Sequence, residues 1–311
     1  MARVVAVGSA VLDRVYALSN LPEPDGGAFV REYTERAGGV AANVACALAE
    51  LDHDTAVVSR IGDDDAGDRV LGSLADRSVD ADGVRRGEDA TSYTLILRGP
   101  DGGRMIVAGG DSVPGLRLTD ADRRRLREAD CVFTSAYAPD RVVSDLLDMR
   151  ERGEVAALAF DLAGPLSELD GRGATPEAID SAAETADLFV TNEVAARSYL
   201  DCGPAEAASY LRDAGADRIA VTVGADGAYL AASDENDGAV QQVPAPDVDV
   251  TDTTGAGDAF TAALVHAWVL GDRDAAAAGR VAAAAAAQNC TSEGARGALP
   301  SPADVSSIEQ Q

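Results

Sequence analysis

Apolar positions in this chain recur with two periods, and the switches between them lay out its elements. Val4-Val5-Ala6-Val7 is a continuous apolar run closed by Gly8-Ser9, the pattern of a strand buried on both faces. Gly38-Gly39 introduces residues 40–51, where Val40, Val44, Leu48 and Leu51 share one helical face. Ala56-Val57-Val58 reads as the next strand, and Gly62-Asp63-Asp64-Asp65 opens a helix through Leu74. From about residue 120, short apolar strands at 131–133, 156–160, 187–190 and 218–223 alternate with helices near 120–128, 140–152, 176–185, 193–200 and 204–214. This alternation predicts an α/β fold: an open, mainly parallel central sheet with helices on both faces. After Gly227 no helix follows; Tyr229-Leu230 starts an antiparallel-looking pair that ends near Val243. An Ala-rich helix, 274–288, closes the core.

Two patches do not fit that rhythm. Residues 14–36 are polar with strand-like pieces around Val15-Tyr16 and Ala28-Phe29-Val30. Residues 91–98 and 104–107 alternate and are split by Gly99-Pro100-Asp101-Gly102-Gly103, a hairpin signal. Both patches follow core strands, so together they are expected to form a small sheet that covers a site at the strand C-termini as a lid.

Composition narrows the chemistry. The chain has 311 residues, no apolar run that could span a membrane, and an N-terminus that enters a strand directly, so a cytoplasmic location is expected. Its four cysteines (Cys46, Cys131, Cys202, Cys290) have neither zinc nor CxxC spacing and read as reduced core thiols. Asp and Glu number 53 against 26 basic residues, a net charge of -27, and every base is Arg. Such a surface repels nucleic acid and acidic membranes. Its 46% apolar content is too high for a disordered acidic chain, which points to a folded protein of a salt-rich, halophilic cytoplasm. Without Lys there is no P-loop and no Schiff-base chemistry. His53 and His266 stand near no Ser or Cys partner motif, and the first strand carries only one glycine of the G-x-G-x-x-G dinucleotide pattern.

The densest chemistry lies in Asp252-Thr253-Thr254-Gly255-Ala256-Gly257-Asp258-Ala259-Phe260. A Gly-Ala-Gly turn opening a helix aims unpaired amides, backed by the helix dipole, at one point and forms an anion cradle. A carboxylate at its rim opposes phosphate binding. It makes sense if Asp258 takes a proton from a hydroxyl that attacks phosphorus; the plainer alternative is a cap on a helix start.

Together with Gly38-Gly39-Val40-Ala41-Ala42-Asn43-Val44-Ala45, Asp13, Asn192-Glu193 and Thr222-Val223-Gly224-Ala225-Asp226-Gly227, this nonapeptide resembles the ribokinase-like (PfkB) family of carbohydrate and nucleoside kinases. The resemblance covers nearly the whole chain and implies one ribokinase-like catalytic domain over 1–311. Its form would be a three-layer sandwich with a small β lid from about 14–36 and 91–107. It implies transfer of the γ-phosphoryl group of ATP, with Mg²⁺, to a hydroxymethyl group. Asp258 would be the base and Gly255, Ala256 and Gly257 the anion hole. Asp13, Gly38, Gly39 and Asn43 would hold substrate hydroxyls; Asn192, Thr222, Gly224 and Gly227 would line the nucleotide. Asp252 and Thr254, with Gly294 and Ser301 contributing, would bind a monovalent cation such as K⁺. The lid would offer a homodimer contact.

One departure stands out. Where many members carry Asn-x-x-Glu, this chain has Ala195, and Glu193 points elsewhere because neighbouring helical residues lie about 100° apart. A catalytically silent sugar- or nucleotide-binding protein is therefore the competing class, with a dehydrogenase a distant third. The loop 134–139 lacks an acidic residue to grip a sugar hydroxyl, so ribose is not the default. Tyr93, Arg98, Met105 and Asp111 are the lid residues expected to reach the substrate, and a nucleoside remains an alternative acceptor.

Overall fold

The computed structural model describes residues 1–308. Its strands are β1 (Arg3–Val7), β2 (Val11–Leu18), β3 (Val30–Gly38), β4 (Asp54–Gly62), β5 (Asp80–Gly87), β6 (Tyr93–Arg98), β7 (Arg104–Gly109), β8 (Cys131–Ser135), β9 (Leu158–Asp161), β10 (Leu188–Asn192), β11 (Arg218–Thr222), β12 (Ala228–Ala232) and β13 (Gln241–Val243). Nine of them form one sheet in the order β13-β12-β11-β10-β9-β8-β1-β4-β5. Every pair from β11 to β5 is parallel, and only the β11–β12–β13 end runs antiparallel.

The parallel strands read as unbroken apolar runs because helices cover both faces. Val4 and Ala6 belong to the core on one side, which is closed by the helices Val40–Glu50, Ala256–Leu264 and Ala275–Asn289. Val5 and Val7 belong to the core on the other, with Phe160 and Phe189. The fold class therefore agrees with the expected α/β sandwich.

β5 is where the pattern failed. Its sequence, Asp-Ala-Asp-Gly-Val-Arg-Arg-Gly, shows no apolar alternation, yet it pairs with β4 along its length. It sits at the sheet edge, where one side is solvated and pairing needs little apolar surface. The short helices Leu166–Leu169 and Pro302–Ile308 were likewise unanticipated.

The remaining four strands form the smaller sheet, β3-β2-β6-β7. It starts at Val11, so Asp13 lies inside β2, and Gly38 ends β3. β2 leaves the C-terminal end of β1 after only three residues, which sets the smaller sheet over the C-terminal ends of the parallel strands.

Candidate active site

Strand ends and helix starts meet at that C-terminal edge. Asp161, Asn192 and Thr222 terminate the neighbouring strands β9, β10 and β11. Opposite them, helix Ala256–Leu264 begins at Gly255, whose φ of 77° is left-handed. A Cβ there would stand 2.4 Å from the Ala295 carbonyl oxygen, so only glycine lets the cradle close against that segment.

Asp258 sits in the first turn of this helix and is partly exposed. Asn43 donates from Nδ2 to Asp258 Oδ2 at 2.7 Å, and Arg296 Nε donates to Asn43 Oδ1 at 2.7 Å. A guanidinium can only donate, so Arg296 fixes the amide orientation and turns the Asn43 NH₂ toward the carboxylate. Arg296 is buried and also donates to Ser73 Oγ at 3.0 Å and to the Gly38 carbonyl at 3.4 Å. Desolvation pushes the Asp258 pKa up to about 7; the Asn43 bond opposes that rise, the Asp161 and Asp13 charges add to it, and Arg296 opposes it. A carboxylate poised there can accept a proton near neutral pH.

Asp13 joins the same cluster. Its carboxylate lies so close to Gly38 that a Cβ on Gly38 would overlap Asp13 Oδ2 at 2.1 Å. Burial raises its pKa to about 6, against the Thr94 hydroxyl and the Arg296 charge. Gly39, φ 96°, caps helix Val40–Glu50 and puts Asn43 one turn in. Asn43 and Asp13 thus act directly on Asp258, Gly38 packs against Asp13, and Gly39 starts the helix that carries Asn43.

Two residues that sequence reasoning missed complete it. Asp161 accepts from the Ala163 amide at 2.8 Å and from Thr261 Oγ1 at 3.2 Å, and burial raises its pKa to about 7. Its position at a strand end was the available signal. Arg296 follows the last long helix in a Gly-Ala-Arg-Gly stretch with no periodicity to flag it.

The loop 252–257 separates two clefts. One, about 60 Å³, is lined by Asp13, Thr34, Arg36, Arg98, Asp252 and Thr254, under the smaller sheet. The other, about 390 Å³, is lined by Thr222, Gly224, Gly227, Ala256 and Gly257 with an apolar wall that includes Val250 and Phe260. Neighbouring residues of one loop thus face opposite clefts, Thr254 toward the first and Thr253 toward the second.

Other expectations fall outside these clefts. Asn192 caps helix Glu193–Leu200 by accepting from the Ala195 amide at 2.9 Å and donates to the Ala163 carbonyl at 2.6 Å; it does not line the larger cleft. Glu193 is exposed. Of Tyr93, Arg98, Met105 and Asp111, only Arg98 lines the smaller cleft. His53 and His266 bond to each other at 2.8 Å, and neither borders a cleft described above.

The family model described as pfkB family carbohydrate kinase matches residues 1–302. The chain belongs to the pfkB family. This pfkB kinase is 33% identical over 303 residues to the ATP-dependent ribose-1-phosphate kinase of Halopiger xanaduensis, covering 96% of this chain and 95% of that one. The halophile relative agrees with the acidic composition. It is 29% identical to the aminoimidazole riboside kinase of Salmonella typhimurium, over 85% of this chain and 80% of that one. Among solved structures it resembles the ribokinase of Arabidopsis thaliana complexed with ribose and ATP, with TM-score 0.85, 24% identity, and coverage of 100% and 99%. A phosphotransferase acting on hydroxyl groups of a sugar or nucleoside is what this pfkB chain is; the silent binding protein and the dehydrogenase are set aside.

Proposed function

We propose that the chain transfers the γ-phosphoryl group of ATP to the hydroxymethyl group of a sugar 1-phosphate. The observation that carries the reaction is Asp258, tied to Asn43 and Arg296 at the loop between the two clefts. Asp258 takes the hydroxyl proton as the oxygen attacks phosphorus, and the amides of Gly255, Ala256 and Gly257 meet the charge that develops on the transferred group. Gly224 and Gly227 let the backbone approach the nucleotide in the larger cleft, and Thr222 lines it. Asp13, Gly38 and Gly39 take substrate hydroxyls beside the base.

Mg²⁺ would shield the phosphate oxygens and enter bound to the nucleotide. Among the described residues no group of three or more His, Cys, Asp or Glu side chains is arranged to hold a metal ion, and Asn192 is already spent on its helix cap.

The acceptor is assigned from the smaller cleft. Arg36 and Arg98 line it, and the ribose-1-phosphate kinase described above is 33% identical to this chain. A phosphorylated pentose would take Arg36 from Glu293, the carboxylate that pairs with it in the same cleft. Among the described residues no helix is long and apolar enough to cross a membrane, and we assign the chain to the cytoplasm. The smaller sheet, acting as a lid, leaves Phe29 and Tyr33 exposed at its β3 edge and Met105, Ile106 and Val107 exposed on its β7 edge, apolar edges suited to a second copy of the chain.

The test is turnover on ribose 1-phosphate, ribose and inosine in molar KCl with Mg-ATP, for wild type and Asp258→Asn. Ribose 1-phosphate is expected to give the highest kcat/KM, and the variant to lose roughly a thousandfold in kcat while still binding ATP. Residual activity above a few per cent would sink Asp258 as the base; preference for inosine would sink the acceptor.

A further inference from the structure

Asp252 is the carboxylate that the family resemblance assigns to a monovalent cation, and its surroundings do not fit that ion. Oδ1 accepts from the Thr254 amide at 3.0 Å and the Thr254 hydroxyl at 2.7 Å. Oδ2 accepts from the Gly294 amide at 2.9 Å and from the Arg98 guanidinium. A carboxylate offers about four lone-pair positions, and protein donors take all of them. The Thr254 hydroxyl is turned to donate, and the Thr254 carbonyl already accepts from Asn289 Nδ2 at 3.1 Å. Asp252 is 6% exposed, and a buried charge of that kind has to be paired. Its counter-charge comes from the smaller sheet.

The geometry of the hairpin strengthens this. Arg98 and Arg104 face each other across β6 and β7. Arg98 meets Asp252, and Arg104 Nη1 donates to Thr253 Oγ1 at 3.2 Å. One end of the smaller sheet therefore clamps two consecutive residues of the loop that leads into the anion cradle.

We propose that the Arg98 guanidinium replaces the monovalent cation, so that the loop 252–258 is ordered by the seated smaller sheet and phosphoryl transfer is independent of potassium. This rests on reading that loop as the phosphoryl cradle, and one arm of the test does not.

Potassium chloride is exchanged for tetramethylammonium chloride at constant ionic strength, and turnover is followed for wild type and Arg98→Met on the acceptor that reacts. Wild type should change by less than about twofold. Arg98→Met should lose roughly tenfold or more in tetramethylammonium and recover with K⁺ or methylguanidinium. The second arm is thallium NMR with thallous nitrate in tetramethylammonium nitrate, which needs no acceptor: the variant should broaden the line saturably and wild type should not. The proposal is overturned by potassium-dependent turnover of wild type, by saturable thallium binding to wild type, or by an Arg98→Met enzyme equally active in both salts. If Arg98→Met does not fold, the two wild-type measurements still decide.

Discussion

Replacing Asn43 by Leu tests the link between Asp258 and its environment. Leu matches Asn in shape at a site that is 5% exposed, but it removes the Nδ2 donor that reaches Asp258 Oδ2 at 2.7 Å. Arg296 loses its Nε acceptor yet keeps Ser73 and the Gly38 carbonyl. A hydrogen bond to a charged group is worth about 1.5–3 kcal/mol. At about 1.4 kcal/mol per pKa unit, its loss raises the Asp258 pKa by roughly one to two units. The acid limb of kcat/KM should therefore move from near pH 7 to about 8–9 in Asn43→Leu. At pH 7 the fraction of base falls roughly five- to fiftyfold. The assay is kcat/KM against pH with Mg-ATP saturating, because that ratio reports groups in the free enzyme. Loss of a substrate contact from Asn43 would lower the whole curve without moving its limb, so the two effects separate. A limb that stays in place would refute the argument.

Two further outcomes follow from the buried charges. Asp13, Asp161 and Asp258 have pKa values raised from 3.8 to about 6, 7 and 7. The folded chain holds their protons where the unfolded chain has lost them, so their contribution to stability is complete below the unfolded pKa and is lost as pH rises to the folded one. The urea midpoint should fall between pH 4 and 7, and Asp161→Asn should flatten that fall; an unchanged slope would rule out Asp161. Lowering salt from molar to tenth-molar KCl should lower the thermal midpoint, given the net charge of -27, while shifting the acid limb by less than about half a unit; a limb that tracks salt would mean Asp258 is screened by solvent rather than set by its neighbours.

The fold was legible where burial writes itself into the sequence. Val4 to Val7 had to be a two-sided buried strand, and the break after Gly227 marked where the sheet turns antiparallel. β5 was not legible, since an edge strand such as Asp80–Gly87 takes its register from β4 and not from its own pattern. The site divides the same way. Asp258, Gly255 and Asn43 stand in dense motifs, and the resemblance of those motifs to the pfkB family grouped them. Arg98 was expected to reach the substrate, and no local pattern announced that its partner is Asp252, 154 positions away. Arg296 lies 253 positions from Asn43, and no local pattern predicts such a bond.

The acids of this chain obey two opposite rules. On the surface they are ionised and hydrated, and molar salt, with a screening length of about 3 Å, removes their mutual repulsion. In the site, Asp13 and Asp161 are below a tenth exposed and hold protons into the neutral range. A chain with no Lys meets the second rule with Arg alone. Arg296 is suited to it: a planar fork can satisfy Asn43, Ser73 and the Gly38 carbonyl at once, whereas a buried ammonium readily gives up its charge. That permanent charge opposes the rise in the Asp13 and Asp258 pKa values. The basicity of Asp258 is thereby set by neighbours that the surface chemistry does not reach.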